Sequence, residues 1–232
     1  MVMKVKLYTA LFIVAPGMAL AQEPKEKHHE DPTKVITKMG FGYTDDFTIS
    51  GSLALDSIKK INGKINSDGS EWRLGGSWLF NFGILNFSMS RSEYDNGGDK
   101  TSYSIGTFAP LSAFDVDTGS WMVFPMAGIS HNATETFQTE DIQLYNDVIM
   151  VQNTSNGGYI GAMALRPLSE TWTIIAFTGA GLGSDDYSNF WAGAGASYKI
   201  NKHHSFNFFG FASEDSFGSV SKLSASYTYE FK

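Results

Sequence analysis

The chain contains no cysteine, which excludes disulfides, thiol nucleophiles and cysteine-held metals. Beyond its first 21 residues, no apolar run reaches the ~18 residues that a transmembrane helix needs. Charge is also sparse. Charged residues make up 18% of the chain, and 17 basic residues face 24 acidic ones for a net charge of −7. An acidic balance of this kind argues against nucleic acid as a partner. What is plentiful is glycine (24), phenylalanine (18) and tyrosine (10). A chain without spanning helices can still cross a bilayer as strands, because helices and closed barrels are the two structures that satisfy every backbone group in lipid.

The N-terminus reads as an export signal. Lys4 and Lys6 form a basic start, Leu7 to Leu20 is apolar, and Ala19-Leu20-Ala21 is an A-x-A cleavage pattern. Residues 1–21 are therefore expected to be a signal peptide, with the mature chain starting at Gln22. Removing Lys4 and Lys6 takes the net charge from −7 to −9. No cysteine follows the cut, so no lipoprotein is expected. Residues 22–37 (QEPKEKHHEDPTKVIT) are mostly charged and hold two prolines. They read as a flexible periplasmic tail, disordered or loosely docked. His28-His29 beside Glu26, Glu30 and Asp31 has metal-ligand types, but in such a tail a solvated charge run is the expected reading, and no metal is assigned.

Residues 38–232 form the one remaining domain. Its pattern is clearest at the end, from Leu223 to Phe231. Odd positions there are apolar or aromatic, and even positions are Ser, Thr or Glu. A period of two is a strand with one apolar and one polar face. The same alternation runs through Phe47 to Leu55, Trp72 to Phe80, Leu85 to Ser90, Tyr103 to Ala109, Tyr159 to Leu165, Trp172 to Leu182, Phe190 to Ile200 and Phe206 to Ala212. Between Trp121 and Ile129 both parities are apolar, so the pattern assigns no faces. Met39 to Tyr43 either extends the first strand or adds one. Residues 56–70 and 131–157 read as long polar loops, the second containing a short apolar strand extension at Val148 to Val151.

The polar faces decide between a soluble and a membrane barrel. They carry Ser, Thr, Gly and Asn rather than Lys and Glu, which suits a crowded lumen better than a solvated exterior. Parity places Arg73, Lys199 and Glu230 in that lumen, together with Phe177, Trp191, Phe209 and Phe211. Lys199 and Glu230, two strands apart, are expected to form an ion pair or a water-mediated link. Aromatics cluster by height: Phe80, Trp172, Tyr198, Phe206, Tyr229 and Phe231 near the short turns, and Trp72, Tyr103, Tyr159 and Phe190 at the loop ends. Two girdles are what amphipathic rings favour at two interfaces.

Together these features resemble the small outer-membrane β-barrel proteins of Gram-negative bacteria. The resemblance covers nearly all of the mature chain. It implies an all-β, closed antiparallel up-and-down transmembrane β-barrel, here of about ten strands, with eight or twelve as alternatives. Both termini and the short turns then face the periplasm. It further implies outer-membrane lipids and lipopolysaccharide as surroundings, and a C-terminal strand (Tyr227, Tyr229, Phe231) read by the barrel-assembly machinery. The terminal Phe usual in such proteins is penultimate here, before Lys232.

A structural, surface-interaction or narrow-channel role is expected, with no cofactor. The competing reading is a lipid hydrolase or acyltransferase using His and Ser. Ser130-His131 invites it, but consecutive strand residues point to opposite faces, and a nucleophile and its base must lie within hydrogen-bond reach. The outer loops are acidic, including Asp99, Asp185, Glu214 and Asp215. They read as solvated surface.

Overall fold

The computed structural model describes residues 27–95, 97–142 and 145–231, with the backbone alone between 136 and 150. The expected signal peptide, cleavage site and Lys232 lie outside the described residues. Twelve strands close into one antiparallel barrel in sequence order, with the last pairing the first. They are β1 (Lys38–Thr44), β2 (Asp46–Ala54), β3 (Lys59–Asn66), β4 (Trp72–Phe80), β5 (Gly83–Glu93) and β6 (Asp99–Phe108). A single turn of 3-10 helix (Leu111–Phe114) precedes β7 (Met122–Ile142) and β8 (Tyr145–Pro167). β9 (Trp172–Gly183), β10 (Ser188–Lys199), β11 (His204–Asp215) and β12 (Ser219–Glu230) complete the wall.

The barrel is therefore two strands larger than the expected ten. One missed strand is β1, Met39 to Tyr43 and its neighbours, joined to β2 through Asp45 in a left-handed conformation (φ 57). The other is β3, which lies inside what read as a polar loop. Its outward residues Ile61, Gly63 and Ile65 alternate with inward Lys60, Asn62 and Lys64. Lysine and asparagine signal a loop only if a polar side chain must face bulk water. A barrel lumen offers them a second polar medium. The stretch 131–157 is likewise strand, since β7 and β8 pair from Met122↔Leu165 to Ile142↔Tyr145. β6 leaves β7 at Glu135 and β9 leaves β8 at Gly157, so this hairpin continues past the rest of the rim.

Closure runs through β1 and β12, in register from Lys38↔Glu230 to Tyr43↔Ala225. Closure removes the sheet edge, which in hydrocarbon would leave unpaired N–H and C=O groups. The exterior is inverted relative to a water-soluble protein. Phe41, Ile49, Ile65, Leu74, Ile129, Ile160 and Leu223 are all exposed, Leu223 at 79%. Eight of the strands are 9 to 12 residues long, close to the roughly nine to eleven residues that tilted strands need to cross a bilayer. No helix among the described residues is long and apolar enough to cross one.

Rings gather on the outer surface at the end that carries both termini. Trp172 meets Tyr198 at 4.8 Å, Trp78 stacks on Phe80, Phe206 meets Tyr227, and Tyr229 meets Phe231 edge-on at 4.8 Å. Trp72 lies toward the opposite end, paired across to Arg91 and Ile65. Tyr159, by contrast, leaves the expected outer girdle. It points inward and covers Gly106 and Gly128 on the two preceding strands, where any Cβ would overlap its ring. Trp191 covers Gly179 in the same way. Glycine is required at these positions because a large ring lies flat on the backbone of its neighbour.

Connections at the two ends are less asymmetric than the pattern suggested. The β1–β2 connection at the end away from the termini is one residue. The β6–β7 connection at the termini end holds the 3-10 turn.

Candidate lumen site

Inside the barrel the two halves of the wall differ. On β6 to β9 and β11, inward side chains make an apolar cluster. Phe124, Leu165 and Ile175 are fully buried, and Phe108, Met122, Met163 and Phe209 pack on them. The ambiguous parity of β7 is thereby settled: Phe124 faces in, and Val123 and Pro125 face out. Phe177 and Phe211 stack nearby at 6.1 Å. On β1, β3, β4 and β12 the inward rows include the basic Lys38, Lys60, Lys64, Arg73 and Lys222.

Residues 27–37 occupy the lumen at the termini end, so the described part of the stretch expected to be disordered or loosely docked is docked. Its cohesion is local first. Asp31 accepts hydrogen bonds from the Thr33 amide and hydroxyl, both at 2.7 Å, and Lys27 Nζ reaches Thr33 Oγ1 at 2.8 Å. Backbone turns run from Asp31 N to His28 O and from Lys34 N to Asp31 O, both at 3.0 Å. The compact turn then spans the barrel. On one side, His28 Nε2 lies 3.2 Å from Thr173 Oγ1 and His29 Nε2 lies 3.3 Å from Ser197 Oγ. Ser197 Oγ also donates to Glu30 Oε1 at 2.7 Å. On the other side, Lys60 Nζ donates to Lys34 O at 2.6 Å and Pro32 O at 3.3 Å, and Ser52 Oγ to Ile36 O at 2.7 Å. Thr33, at the centre, is 2% exposed.

The three lumen residues named from sequence have different surroundings. Glu230 accepts from Lys34 Nζ at 2.9 Å, so its partner is the docked segment rather than Lys199. The expected Lys199–Glu230 pair fails because parity says which face a residue is on, not what else fills the lumen. Lys199 shares its face with Ser197, beside His28 and His29. Arg73 points into the open lumen and makes no ion pair among the described residues.

Burial lowers the basicity of both docked imidazoles. Glu30 opposes this for each, while Lys199 and Lys34 reinforce it, and His29 falls to about 4. Docking therefore favours neutral rings. Undocked, they would titrate near the ordinary histidine value of about 6.5. The histidine contribution to docking is fully present above that pH and is lost as pH falls from about 6.5 toward 4. Protease cleavage within residues 27–36 of the membrane-inserted protein is expected to accelerate between pH 7.5 and 4.5. The double variant His28→Gln, His29→Gln should flatten that profile. Glu30, Asp31, Lys34 and Glu230 also face this site, so a profile unchanged in the double variant would transfer the effect to the carboxylates.

The opposite mouth has its own closure. Asp215 does not sit in solvated loop, as the acidic loops were expected to; its side chain is 6% exposed. Lys100 Nζ contacts its Oδ2 at 2.8 Å, and the Tyr94 hydroxyl donates to the same oxygen at 2.8 Å. Lys100 also lies 2.6 Å from the Tyr187 hydroxyl, and Tyr187 stacks on Phe217. Burial and then the Asp215 carboxylate push both phenols up, so they remain donors. Three connections, β5–β6, β9–β10 and β11–β12, are thus drawn together across the mouth. Nearby, Lys222 bridges Glu71 at 2.6 Å and Asp45 at 3.6 Å.

Between the two closures lies a cavity of about 560 Å³. The Ser130–His131 pair takes no part in it as a unit. His131 faces outward, 2.8 Å from Asn156 Oδ1, while Ser130 faces in. His203 and His204 lie at the termini end, on Glu230 O and the Tyr227 hydroxyl.

No protein-family model and no curated protein matches this chain. Solved structures do. The translocator domain of the autotransporter NalP from Neisseria meningitidis aligns with a TM-score of 0.53 at 13% identity, over 84% of this chain and 85% of that one. This chain has the fold of an outer-membrane β-barrel. A bacterial polysaccharide outer-membrane secretin (TM-score 0.48, 11% identity, 82% and 70% covered) and KdgM porin (0.44, 9%, 85% and 100%) also align. At such identities the likeness concerns the fold, and the site rests on its own geometry.

Proposed function

We propose that this protein is an outer-membrane channel of narrow bore, exported to a Gram-negative envelope and normally held closed by its own N-terminal segment. The observation that carries this reading is residues 27–37 lodged across the lumen on hydroxyls, carbonyls and one ion pair, beside a cavity lined by polar and basic side chains. A barrel with a purely structural role has no need of a polar cavity capped by a segment on so few polar contacts. A lumen packed solid with side chains would serve it equally.

In this reading the termini face the periplasm, so the segment is a periplasmic plug and the Asp215 cluster an extracellular latch. Outer-membrane lipids and lipopolysaccharide would contact the exposed apolar belt, and the C-terminal strand would engage the assembly machinery. Single-channel recording on the refolded mature protein tests the proposal. Infrequent, discrete openings are expected. A silent bilayer even after the plug has been removed would overturn it.

A further inference from the structure

We infer that the cavity above the plug is a binding site for a small hydroxylated carboxylate. Three basic side chains line it, Lys38 from β1, Lys60 from β3 and Arg73 from β4, and no carboxylate does. Lys60 spends two donors on plug carbonyls, which are neutral, and the Asp31 carboxylate offsets its charge from a distance without forming an ion pair. Lys38 and Arg73 make no ion pair among the described residues. Asp31 of the plug is turned onto Thr33. An excess of one sign between low-dielectric walls concentrates the opposite ion, and rings of Lys and Arg are how pores select anions.

The rest of the lining narrows the class. Asn62 and several serines supply neutral donors and acceptors between the cations, and Tyr159 and Trp191 present rings. Strands β1 to β4 span three interstrand steps, about 14 Å. Long cationic side chains can converge across that width on one carboxylate while hydroxyl groups of the same solute meet Ser and Asn. A bare halide would leave those neutral groups unused. A bulky apolar anion would face too many of them. The volume of about 560 Å³ lies within the range of small-molecule sites and leaves room for a solute of sugar size.

This inference rests on the lumen being a solute path, but binding can be scored without conduction. Calorimetric titration of the refolded full mature chain with gluconate is expected to show saturable binding. Sorbitol, its uncharged counterpart, should give none. Arg73→Gln should weaken gluconate binding at least about tenfold, a loss of ~1.4 kcal/mol, and Lys38→Gln should weaken it as well. Neither variant touches the plug contacts, and unchanged heat modifiability on gels confirms the barrel. Equal heats from gluconate and sorbitol, or unaltered affinity in both variants, would overturn the site. Gluconate binding in a protein that never conducts would leave the site standing and sink the channel. Conduction without gluconate binding would do the reverse.

Discussion

Removing residues 27–36 is expected to convert rare openings into a state that conducts for most of the record. The deletion takes away the only segment among the described residues that crosses the lumen at the termini end, and it stops short of β1, which begins at Lys38. The wall hydrogen bonds from β1 to β12 are untouched. A point variant gives the same direction with a graded size. Lys60→Met removes the two charged-donor hydrogen bonds to Pro32 O and Lys34 O. Bonds from a charged group contribute about 1.5–3 kcal/mol each and are not additive. A net loss of about 2 kcal/mol would raise the undocked fraction roughly thirtyfold. Lys60 also lines the cavity, so current amplitude could change with open probability. Open probability is therefore the quantity to read. Asp215→Asn, at the other mouth, weakens the pull on Lys100, Tyr94 and Tyr187, and combined with the deletion it should raise the conductance level. Indistinguishable records from full-length and deleted chains would show that the segment does not gate the lumen.

The second large effect is expected at Phe124. It is 1% exposed and belongs to one buried cluster with Leu165 and Ile175 on the apolar side of the lumen. Phe124→Ala leaves a cavity that closed barrel walls cannot collapse into, because each strand is held on both sides. Large-to-small changes of this type cost about 3–5 kcal/mol. Urea or guanidinium unfolding from lipid vesicles should show the midpoint falling accordingly. Thr228→Ala, which removes a lumenal hydroxyl from β12, should change it little. A loss below about 1 kcal/mol for Phe124→Ala would mean that the lumen cluster relaxes, and that barrel stability lies in the wall alone.

These two sites show where sequence reading succeeds and where it stops. The lipid face of β12 could be read directly, because Leu223 to Phe231 alternates without a break and both faces keep one character. β3 was equally periodic, yet Lys60, Asn62 and Lys64 disguised it. A rule that treats lysine as a loop signal assumes one aqueous side, and a barrel has two. Reading Ile61, Gly63 and Ile65 as the outward row would have found the strand. On β7 no such rescue exists. Both rows are apolar because one faces lipid and the other faces the Phe124 cluster, so periodicity loses its contrast.

The sequence by itself determined a closed antiparallel barrel with an apolar exterior and, on strands such as β12, a polar inner row. Each of these follows from local alternation, set by the strand period and the two media on either side of the wall. The tertiary structure alone decided the strand number, the inward turn of Tyr159 and the partner of Glu230. It alone placed residues 27–37 across the lumen, joined Asp215 to Lys100 and two tyrosines, and gathered Lys38, Lys60 and Arg73 around one cavity. Those contacts join residues that are far apart in the chain and meet only when twelve strands curve into a ring, and no local pattern encodes which side of a ring faces which.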